Sequence, residues 1–437
     1  MKLLIKNGHV ISPADNLNEM YDVLVQDNKI SKIGKNLKEV ADNTIDAKDK
    51  IVMPGIVDMH VHLREPGRED KETVFSGTRA GLAGGVTSVV CMPNTLTPID
   101  CIENVRLLKG IIEKKAQANV FICAAITKDR AGRELTNIAK LKKEGIVAVS
   151  DDGASVDNAA VMLKALKKAK DIRVAVICHS EDKLLSAGGV VNLGFTSTKM
   201  GLRGISKESE YKRVRRDIEL AERIDAPIHI THVSCLESVE IIAKAKKKGV
   251  AVTADTAPHY FSISEEAVWS YDPNLKMNPP LRTKEDVSAI KDGLKQGVID
   301  AIASDHAPHT ENEKEIEFER AEFGVIGLET ELSSAITYLV GGKFLDMFEL
   351  VKKLTINPAK ILGINRGTLG IGKPADIAII SKDKEWVVKK SRFSSKSKNS
   401  AFLGKTLKGV VDYTILAGRI VYVNNTDEHR HKTDDHR

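Results

Sequence analysis

Short apolar runs alternate with amphipathic segments through the middle of the chain, beginning at Gly55. The apolar runs predict strands at 55–62, 87–94, 118–126, 146–152, 173–181, 227–234, 250–257 and 299–305. Helical periodicity separates most of them, at 102–115, 133–144, 157–169, 236–248 and 284–295. Eight β-α repeats in roughly 250 residues are typical of a (β/α)8 barrel. The pattern therefore predicts an α/β protein built on a TIM barrel.

A doubly wound open sheet is the alternative arrangement of the same repeats. Such a sheet should place one glycine-rich phosphate-binding turn after its first strand. This chain instead carries polar residues at the ends of many predicted strands. The predicted strands are also nearly continuous in apolar residues, as a parallel sheet covered on both faces requires. Both features favour the barrel.

The two ends of the chain have a different pattern from the middle. Residues 1–50 predict short antiparallel strands, and strand patterning returns at 368–424 after helical segments at 328–340 and 345–363. We therefore expect a small β-sandwich satellite domain formed by both termini. The predicted divisions are 1–52 and 365–425 for the satellite domain, 53–364 for the barrel, and 426–437 for a disordered tail. That tail holds three of the 12 histidines.

Composition narrows the cellular setting and the classes of partner. A hydrophobic content of 42% and a charged content of 29% are ordinary for a soluble globular protein. No apolar run is long enough to cross a bilayer, so we expect a cytoplasmic protein without a membrane partner. The 5 cysteines form no CxxC pair, which indicates buried thiols in a reducing compartment. A net charge of +6 is small for 437 residues, so no nucleic-acid partner is expected.

Two histidines mark the end of the first predicted strand. Simple alternation puts Asp58, His60 and His62 on one face, and the apolar Val57, Met59 and Val61 on the other. Alone, this His-x-His pattern is better explained by two histidines with ordinary hydrogen-bond partners than by a metal site. A metal site is favoured only together with the polar residues at the ends of later strands, because barrel active sites form where the strands end.

Further candidate ligands stand at the ends of the fourth, fifth, sixth and eighth predicted strands. They are an aspartate of the Asp151–Asp152 pair, His179, His232 and Asp305. Imidazole and carboxylate ligands suit Zn²⁺ best, with Mn²⁺ or Co²⁺ as substitutes. Together with His60 and His62 they make six ligands, which is too many for one catalytic zinc. The pattern therefore predicts two metal ions, a few ångströms apart, that share a carboxylate.

Longer motifs agree with this metal centre. They are DMHVHLREPG at 58–67, MPNT at 92–95, SDDG at 150–153, THVS at 231–234, NPPLR at 278–282, SDHAPH at 304–309, and FG at 323–324 before GLET at 327–330. This set resembles the dihydroorotases of the longer, bacterial-type class in the cyclic amidohydrolase superfamily. The likeness runs from Met1 to about Asn425.

The resemblance assigns the ligands to two zinc ions. It implies that His60, His62 and Asp305 hold one ion, that His179 and His232 hold the other, and that Asp152 bridges them. Many relatives bridge with a carboxylated lysine from the fourth strand. Residues 146–152 offer no lysine, so a carboxylate must take its place, and spacing favours Asp152 over Asp151. We interpret His229, three residues before His232 and on the opposite face, as a core residue or a neighbour of the ligands.

The resemblance also implies an activity and a substrate. Dihydroorotases interconvert N-carbamoyl-L-aspartate and L-dihydroorotate in pyrimidine biosynthesis, and Asp305 would act as general base and general acid. The expected substrate contacts are His62, Arg64, Asn94, Asn278, His309, Phe323 and Gly324. Arg64 offers a planar fork that matches the carboxylate of dihydroorotate. The polar segment 306–323 is long enough to form a mobile lid.

Two other functions stay open at this stage. An allantoinase or hydantoinase would share the fold and metals, but Arg64 and the missing lysine disfavour it. A non-catalytic scaffold protein of the same fold would have lost ligands, whereas this chain has all six. The expected partner is a small-molecule substrate. Relatives of this class often pair with aspartate transcarbamoylase, although no feature of the sequence indicates such a surface.

Overall fold

In a computed structural model, which describes residues 1–424, the chain forms two large sheets. The first five strands are β1 (Lys2–Ser12), β2 (Leu17–Gln26), β3 (Lys29–Gly34), β4 (Asn43–Asp46) and β5 (Ile51–Pro54). The barrel follows with β6 (Ile56–Val61), β7 (Val86–Cys91), β8 (Asn119–Ala124), β9 (Ala148–Val149) and β10 (Ala175–Cys178). A two-stranded insertion, β11 (Val191–Asn192) and β12 (Gly204–Ile205), precedes β13 (Ile228–Ile230), β14 (Val252–Thr256) and β15 (Ala301–Ile302). The chain returns to the first sheet with β16 (Ile377–Val387), β17 (Thr406–Leu416) and β18 (Arg419–Val423).

Fourteen α-helices lie within residues 74–362. They are α1 (Val74–Ala83), α2 (Ile102–Lys115), α3 (Ile138–Lys143), α4 (Ala159–Ile172), α5 (Lys183–Ser186), α6 (Phe195–Met200), α7 (Glu208–Arg223), α8 (Leu236–Lys247), α9 (Pro258–Ser262), α10 (Lys284–Lys295), α11 (Glu311–Lys314), α12 (Glu331–Ala335), α13 (Met347–Leu354) and α14 (Ile356–Leu362). No helix within residues 1–424 is long and apolar enough to cross a membrane.

The barrel strands run parallel, in the order β6-β7-β8-β9-β10-β13-β14-β15. The ring closes where Val61 bridges His306 and the His62 backbone N–H donates to the His306 carbonyl at 2.8 Å. The predicted (β/α)8 barrel is therefore confirmed. Its strands are shorter than predicted, since β9 and β15 keep only 2 residues each.

The satellite sheet combines both ends of the chain. Its strand order is β18-β17-β16-β5-β1-β2-β3, with β4 paired to β1, so β5 and β16 join the N-terminal and C-terminal strands. The satellite domain predicted from the termini is thus confirmed. The division of the chain at residues 52, 364 and 425 stays a prediction, and the predicted tail lies outside the described residues.

A bulge in β6 corrects the predicted alternation along that strand. The pairing of β6 with β7 shifts register between Asp58 and Val61, which adds one residue to β6. Val57 and Met59 pack in the cluster inside the barrel, whereas Val61 packs with the outer cluster under the helices. Because one extra residue reverses the inside-outside order, the predicted shared face of Val57, Met59 and Val61 is wrong.

Other helix predictions differ at their ends. The predicted helix 133–144 begins only at Ile138, where Asn137 accepts a hydrogen bond from the Lys140 backbone as the N-cap. The predicted segment 345–363 is broken at Thr355, whose ψ of -81° separates α13 from α14. Side chains of α14 then pack into the inner barrel cluster. Segment 306–323 contains the short helix α11.

Candidate active site

Four imidazoles surround one carboxylate at the ends of the barrel strands. Asp152 belongs to two groups whose candidate ligand atoms all lie within 4.8 Å of one another, one with His60 and His62 and the other with His179 and His232. The Asp152 Oδ1 atom is 3.3 Å from His60 Nε2, 3.5 Å from His179 Nδ1 and 3.7 Å from His232 Nε2. Its Oδ2 atom is 3.6 Å from His62 Nε2. The structure thus places Asp152 between two sets of ligands.

The sixth predicted ligand lies beside the first set. The Asp305 Oδ1 atom is 3.2 Å from His62 Nε2 and 3.6 Å from His60 Nε2. Asp305 follows the short strand β15 in the left-handed region at φ 48°, and His232 after β13 has φ 40°. Since non-glycine residues seldom adopt this conformation, surrounding contacts must hold it, as is common at functional sites. All six predicted ligands therefore meet at one place.

Buried carboxylates also join neighbouring strand ends at the barrel mouth. Asp151 accepts hydrogen bonds from the backbone N–H groups of Ile126 at 2.8 Å and Thr127 at 3.0 Å, and from the Thr127 hydroxyl. Asp151 thereby joins the ends of β8 and β9, and its carboxylate is occupied there. Its neighbour Asp152 is the one that faces the imidazoles.

Asp58 has a comparable position between the first and last barrel strands. It accepts hydrogen bonds from the Ser304 hydroxyl and backbone N–H, and from the His60 backbone N–H at 3.0 Å. The His60 and His62 side chains point instead to Asp152 and Asp305. The predicted shared face of Asp58 with these two histidines is therefore wrong, for the same reason as on the apolar side: the bulge of β6.

The charges of the cluster suit a bound cation. Burial alone would lower the pKa of His60, but Asp152 outweighs it and raises that pKa to about 9. Burial likewise opposes the effect of Asp152 on His179, whose pKa is nevertheless raised to about 10. The buried His60 Nε2 and Asp152 Oδ1 atoms have no hydrogen-bond partner among the described residues. Two orphaned ligand atoms in an imidazole-carboxylate set fit a metal such as zinc.

The predicted substrate contacts lie next to this cluster. Arg64 donates from Nε to the Pro308 carbonyl at 3.1 Å, and its Nη2 lies 3.3 Å from His309 Nε2. His309 Nε2 is 2.8 Å from the Phe323 carbonyl. Within residues 1–424, no carboxylate forms an ion pair with Arg64. A partly buried guanidinium without an acidic partner is suited to bind an anion.

The amide contacts are joined directly to the ligands. Asn94 Oδ1 is 2.8 Å from His62 Nδ1. Asn278 helps to lower the pKa of Glu181, and Glu181 Oε2 is 3.1 Å from His179 Nε2. Burial acts to raise the pKa of Glu181, but the hydrogen bond from His179 prevails and lowers it to about 2. Asn94 is thus tied to a ligand of the first set, and Asn278 to the neighbour of a ligand of the second set.

Gly324 occupies a position that other residues would not tolerate. Its φ is +122°, and a Cβ atom there would lie 2.7 Å from the Ala307 Cβ atom. Its carbonyl accepts a hydrogen bond at 3.0 Å from the buried Lys314 ammonium, which also donates to the Glu322 carbonyl at 2.8 Å. These bonds hold the Phe323–Gly324 backbone beside His309.

Sequence reasoning missed four side chains that support the site. Glu181 contacts His179, and Thr231 contacts His60. Asp255 accepts from Thr231 and from the His232 backbone, and Lys71 Nζ lies 3.1 Å from His309 Nδ1. Glu181 and Thr231 were visible as polar residues at strand ends. No pattern in the sequence distinguishes Asp255 and Lys71 from ordinary charged residues, because their partners come from distant segments.

Comparisons with known proteins agree with this geometry. Residues 49–238 match the family model described as Dihydro-orotase-like, and residues 210–422 match the Amidohydrolase family. The dihydroorotase of Elusimicrobium minutum is 51% identical over 426 residues, covering 98% of this chain and 99% of that protein. The dihydroorotase of Geotalea daltonii is also 51% identical over 426 residues, covering 97% and 99%.

Solved structures of hydantoinases share the architecture. The L-hydantoinase (dihydropyrimidinase) of Arthrobacter aurescens has a TM-score of 0.86 at 25% identity, and the match covers 96% of this chain and 95% of that one. The dihydropyrimidinase of Brevibacillus agri has a TM-score of 0.85 at 24% identity, with coverage of 97% and 95%. At these identities the likeness establishes the barrel fold.

Proposed function

The chain belongs to the dihydroorotase family of amidohydrolases, and from this premise we propose that it interconverts N-carbamoyl-L-aspartate and L-dihydroorotate in pyrimidine biosynthesis, using two zinc ions. One observation carries the proposal. The guanidinium of Arg64 has no acidic partner within residues 1–424. It lies beside six metal-type ligands, one of which, Asp152, belongs to both groups of ligands. An anionic cyclic amide fits this combination, because its carboxylate needs a cation and its amide needs activation.

The chain would hold the zinc ions with His60, His62 and Asp305 on one side and His179 and His232 on the other, with Asp152 between them. Bound there, zinc would lower the pKa of water and polarise the reacting carbonyl. The remaining chemistry belongs to the side chains. The orphaned His60 Nε2 and Asp152 Oδ1 atoms support this assignment.

Asp305 is suited to move the proton. Burial acts to raise its pKa, but the hydrogen bond from His62 and the charge of His60 outweigh burial and bring the pKa well below its usual value. The carboxylate is therefore ionised at neutral pH. In ring closure it would take a proton from the carbamoyl nitrogen, which then bonds to the carbon of the side-chain carboxylate. One oxygen leaves as water, with that proton and a second one from solution.

Ring opening reverses these steps. The oxygen of water would bond to the ring carbonyl carbon as the C–N bond breaks. Asp305 would pass one of the water protons to the ring nitrogen, which leaves more easily as a neutral amide nitrogen than as an anion, and the other proton is released to solution. Since a dianion becomes a monoanion on closure, closure consumes a proton from solution. Lower pH should therefore favour dihydroorotate at equilibrium.

Arg64, Asn94 and His309 would bind the carboxylate that dihydroorotate retains in both reaction directions. Burial lowers the pKa of Arg64 to about 10, which still leaves the guanidinium charged at neutral pH. Asn278 and the Phe323–Gly324 backbone would contact the ring. In the absence of substrate, Arg64 and His309 donate to the carbonyls of Pro308 and Phe323, so substrate binding would exchange these bonds.

A substrate panel tests the proposal. We expect the purified protein to hydrolyse dihydroorotate, followed by ultraviolet absorbance, with little activity on hydantoin or allantoin. Chelation should abolish the activity and added Zn²⁺ should restore it. Preference for hydantoin or allantoin would assign the chain to those activities instead. A protein without zinc and insensitive to chelators would be a scaffold. Cytoplasmic location and association with aspartate transcarbamoylase stay predictions.

A further inference from the structure

A buried carboxylate behind the metal-type ligands accepts hydrogen bonds from three residues. Asp255, in β14, is 1% exposed. Its Oδ1 atom accepts from the His232 backbone N–H at 2.7 Å, and its Oδ2 atom accepts from Thr231 Oγ1 at 2.9 Å. His229 Nε2 lies 2.8 Å from Oδ2. These three donors come from β13 and the residues after it, so one side chain of β14 fixes the end of the neighbouring strand.

The chemistry of these groups determines which atom of His60 carries a proton. An ionised carboxylate only accepts hydrogen bonds, so the single hydroxyl hydrogen of Thr231 goes to Asp255. Thr231 Oγ1 then has only lone pairs left for His60 Nδ1, which lies 2.8 Å away. His60 Nδ1 must therefore be the donor. In a neutral imidazole, this leaves the Nε2 lone pair free.

The free nitrogen points to the site where a metal would bind. His60 Nε2 is 3.3 Å from Asp152 Oδ1, and it is one of the buried polar atoms without a hydrogen-bond partner in the described part of the chain. We propose that Asp255 is a positioning residue which, through Thr231, keeps His60 in the tautomer that binds zinc and, through the His232 backbone, sets a ligand of the second zinc. This inference rests on the metal site of the proposed function.

His229 completes the arrangement from the far side. Its Nε2 atom faces the Asp255 carboxylate at 2.8 Å and must carry a hydrogen there, because an ionised carboxylate only accepts; its Nδ1 atom is 2.8 Å from the Thr253 hydroxyl. The hydrogen bonds from both sides thus run toward Asp255: His229 donates to it directly, and His60 donates to Thr231, which donates to it in turn. Sequence reasoning described His229 as a core residue or a neighbour of the ligands, and here it becomes the residue that orients Asp255.

Substitutions at Thr231 separate this role from a general structural one. Thr231→Val keeps the shape but removes the hydroxyl, so His60 Nδ1–H loses its acceptor, whereas Thr231→Ser keeps the hydroxyl. Loss of a partner behind a metal ligand typically lowers metal affinity about 10–100-fold. We expect zinc affinity, measured by competition with a chromophoric chelator, to fall in this range for T231V and Asp255→Asn and to stay near the parent value for T231S.

Asp300→Asn is the matched control. Asp300 Oδ2 accepts from the Ala254 backbone N–H in β14 at 2.9 Å, but Asp300 precedes β15 and so lies at the end of that strand opposite to the ligand Asp305. Its zinc affinity should equal that of the parent. If T231V and D255N fold, as near-ultraviolet circular dichroism would show, and bind zinc within about threefold of the parent, the inference is overturned. A parent that binds no zinc would instead overturn the proposed function.

A measurement on the parent keeps the inference testable if the variants do not fold. With ¹⁵N-labelled histidine, the zinc-loaded parent should show a protected Nδ1–H signal for His60, assigned by its loss in His60→Gln. A His60 ring that carries its proton on Nε2 would contradict the inference. Return of the Nδ1–H signal in T231S but not in T231V would support it.

Discussion

Single residues at the barrel mouth carry charges that only one another or a ligand can balance. Asp152 and Asp305 lie among four imidazoles, while the nearby Arg64 has no acidic partner within residues 1–424. Because buried charges are costly unless paired, each of these groups should respond strongly to substitution. Substitution of Asp305 tests proton transfer, and substitution of Arg64 tests substrate recognition.

The first residue-scale prediction concerns Asp305. Asp305→Asn keeps the shape and one oxygen but cannot accept the proton, so we expect dihydroorotate turnover to fall about 10²–10⁴-fold. Zinc content, measured by atomic emission, should stay near that of the parent because five other ligands remain. A near-normal rate in this variant would refute the assignment of Asp305 as general base and acid.

The second residue-scale prediction concerns Arg64. A hydrogen bond to a charged group contributes roughly 1.5–3 kcal/mol, so Arg64→Ala should raise KM for dihydroorotate about 10–100-fold. Arg64→Lys keeps the charge but lacks the planar fork, so its KM for dihydroorotate should lie between those of the parent and of Arg64→Ala. Any slow hydrolysis of uncharged hydantoin should not change. Unaltered dihydroorotate kinetics in R64A would mean that the substrate carboxylate binds elsewhere.

At the scale of elements, the strand ends are joined by side chains rather than by longer strands. Asp58, Asp151 and Asp255 each accept backbone N–H groups at a strand end, where the ladder of β-sheet hydrogen bonds stops. The strands can therefore be short at the mouth while the ligands they carry remain fixed. Two adjacent aspartates, Asp151 and Asp152, can then have different roles, one in joining strands and one in facing the imidazoles.

Asp151 and Asp152 give a direct comparison. Asp152→Asn removes the carboxylate shared by both ligand groups, and we expect the protein to lose zinc. Asp151→Asn should keep zinc, but its melting temperature should fall by a few degrees because an amide cannot accept from all three donors of Asp151. Metal analysis and thermal unfolding of both variants test this. Loss of zinc in D151N with retention in D152N would reverse the assignment.

Helix packing gives a second prediction at this scale. Gly84 ends α1 against the chain after β15, and a Cβ atom there would lie 2.0 Å from the Leu328 carbonyl oxygen. Gly84→Ala should therefore strongly lower the melting temperature. Gly110→Ala, within α2 with no atom within 4 Å of the added carbon, should stabilise by roughly 0.5–1 kcal/mol. Thermal unfolding of both variants measures the contrast, and equal effects would contradict the packing described.

The whole molecule depends on contacts between the barrel and the satellite sheet. The Gly55 backbone N–H donates to the Asp376 carbonyl at 2.9 Å, and the Thr414 hydroxyl donates to the Leu82 carbonyl at 2.7 Å. Glu329, after the last barrel strand, accepts from the Ser394 backbone N–H at 2.6 Å. This last contact places a partly buried carboxyl between the two parts.

Glu329 should make stability depend on pH. Burial raises its pKa from 4.5 to about 7, so between these values the folded protein binds more protons than the unfolded chain. Its contribution to stability is thus present below pH 4.5 and lost as pH rises through 7. We expect Glu329→Gln, which stays neutral, to gain melting temperature relative to the parent from pH 5 to pH 8. A difference between the two proteins that is constant with pH would contradict this.

The sequence by itself determined the barrel, the joining of both termini in one sheet, and which residue types stand at the strand ends. These features follow from local periodicity, which each segment carries in its own residues. The sequence also left Asp151 and Asp152 as alternative candidates for the carboxylate that bridges the metals. Only the tertiary structure separated them, because the donors that bind Asp151 belong to the loop after β8.

The bulge in β6 and the roles of Asp255, Thr231 and Lys71 were likewise decided by the tertiary structure. A bulge depends on the register between β6 and β7, and the partners of Asp255 and Lys71 lie more than 20 residues away along the chain. The local sequence pattern does not predict such pairings, because the partners of these hydrogen bonds and charges come together only when distant segments meet. The ligands could therefore be predicted from the sequence, whereas the contacts that orient them could be identified only in the folded structure.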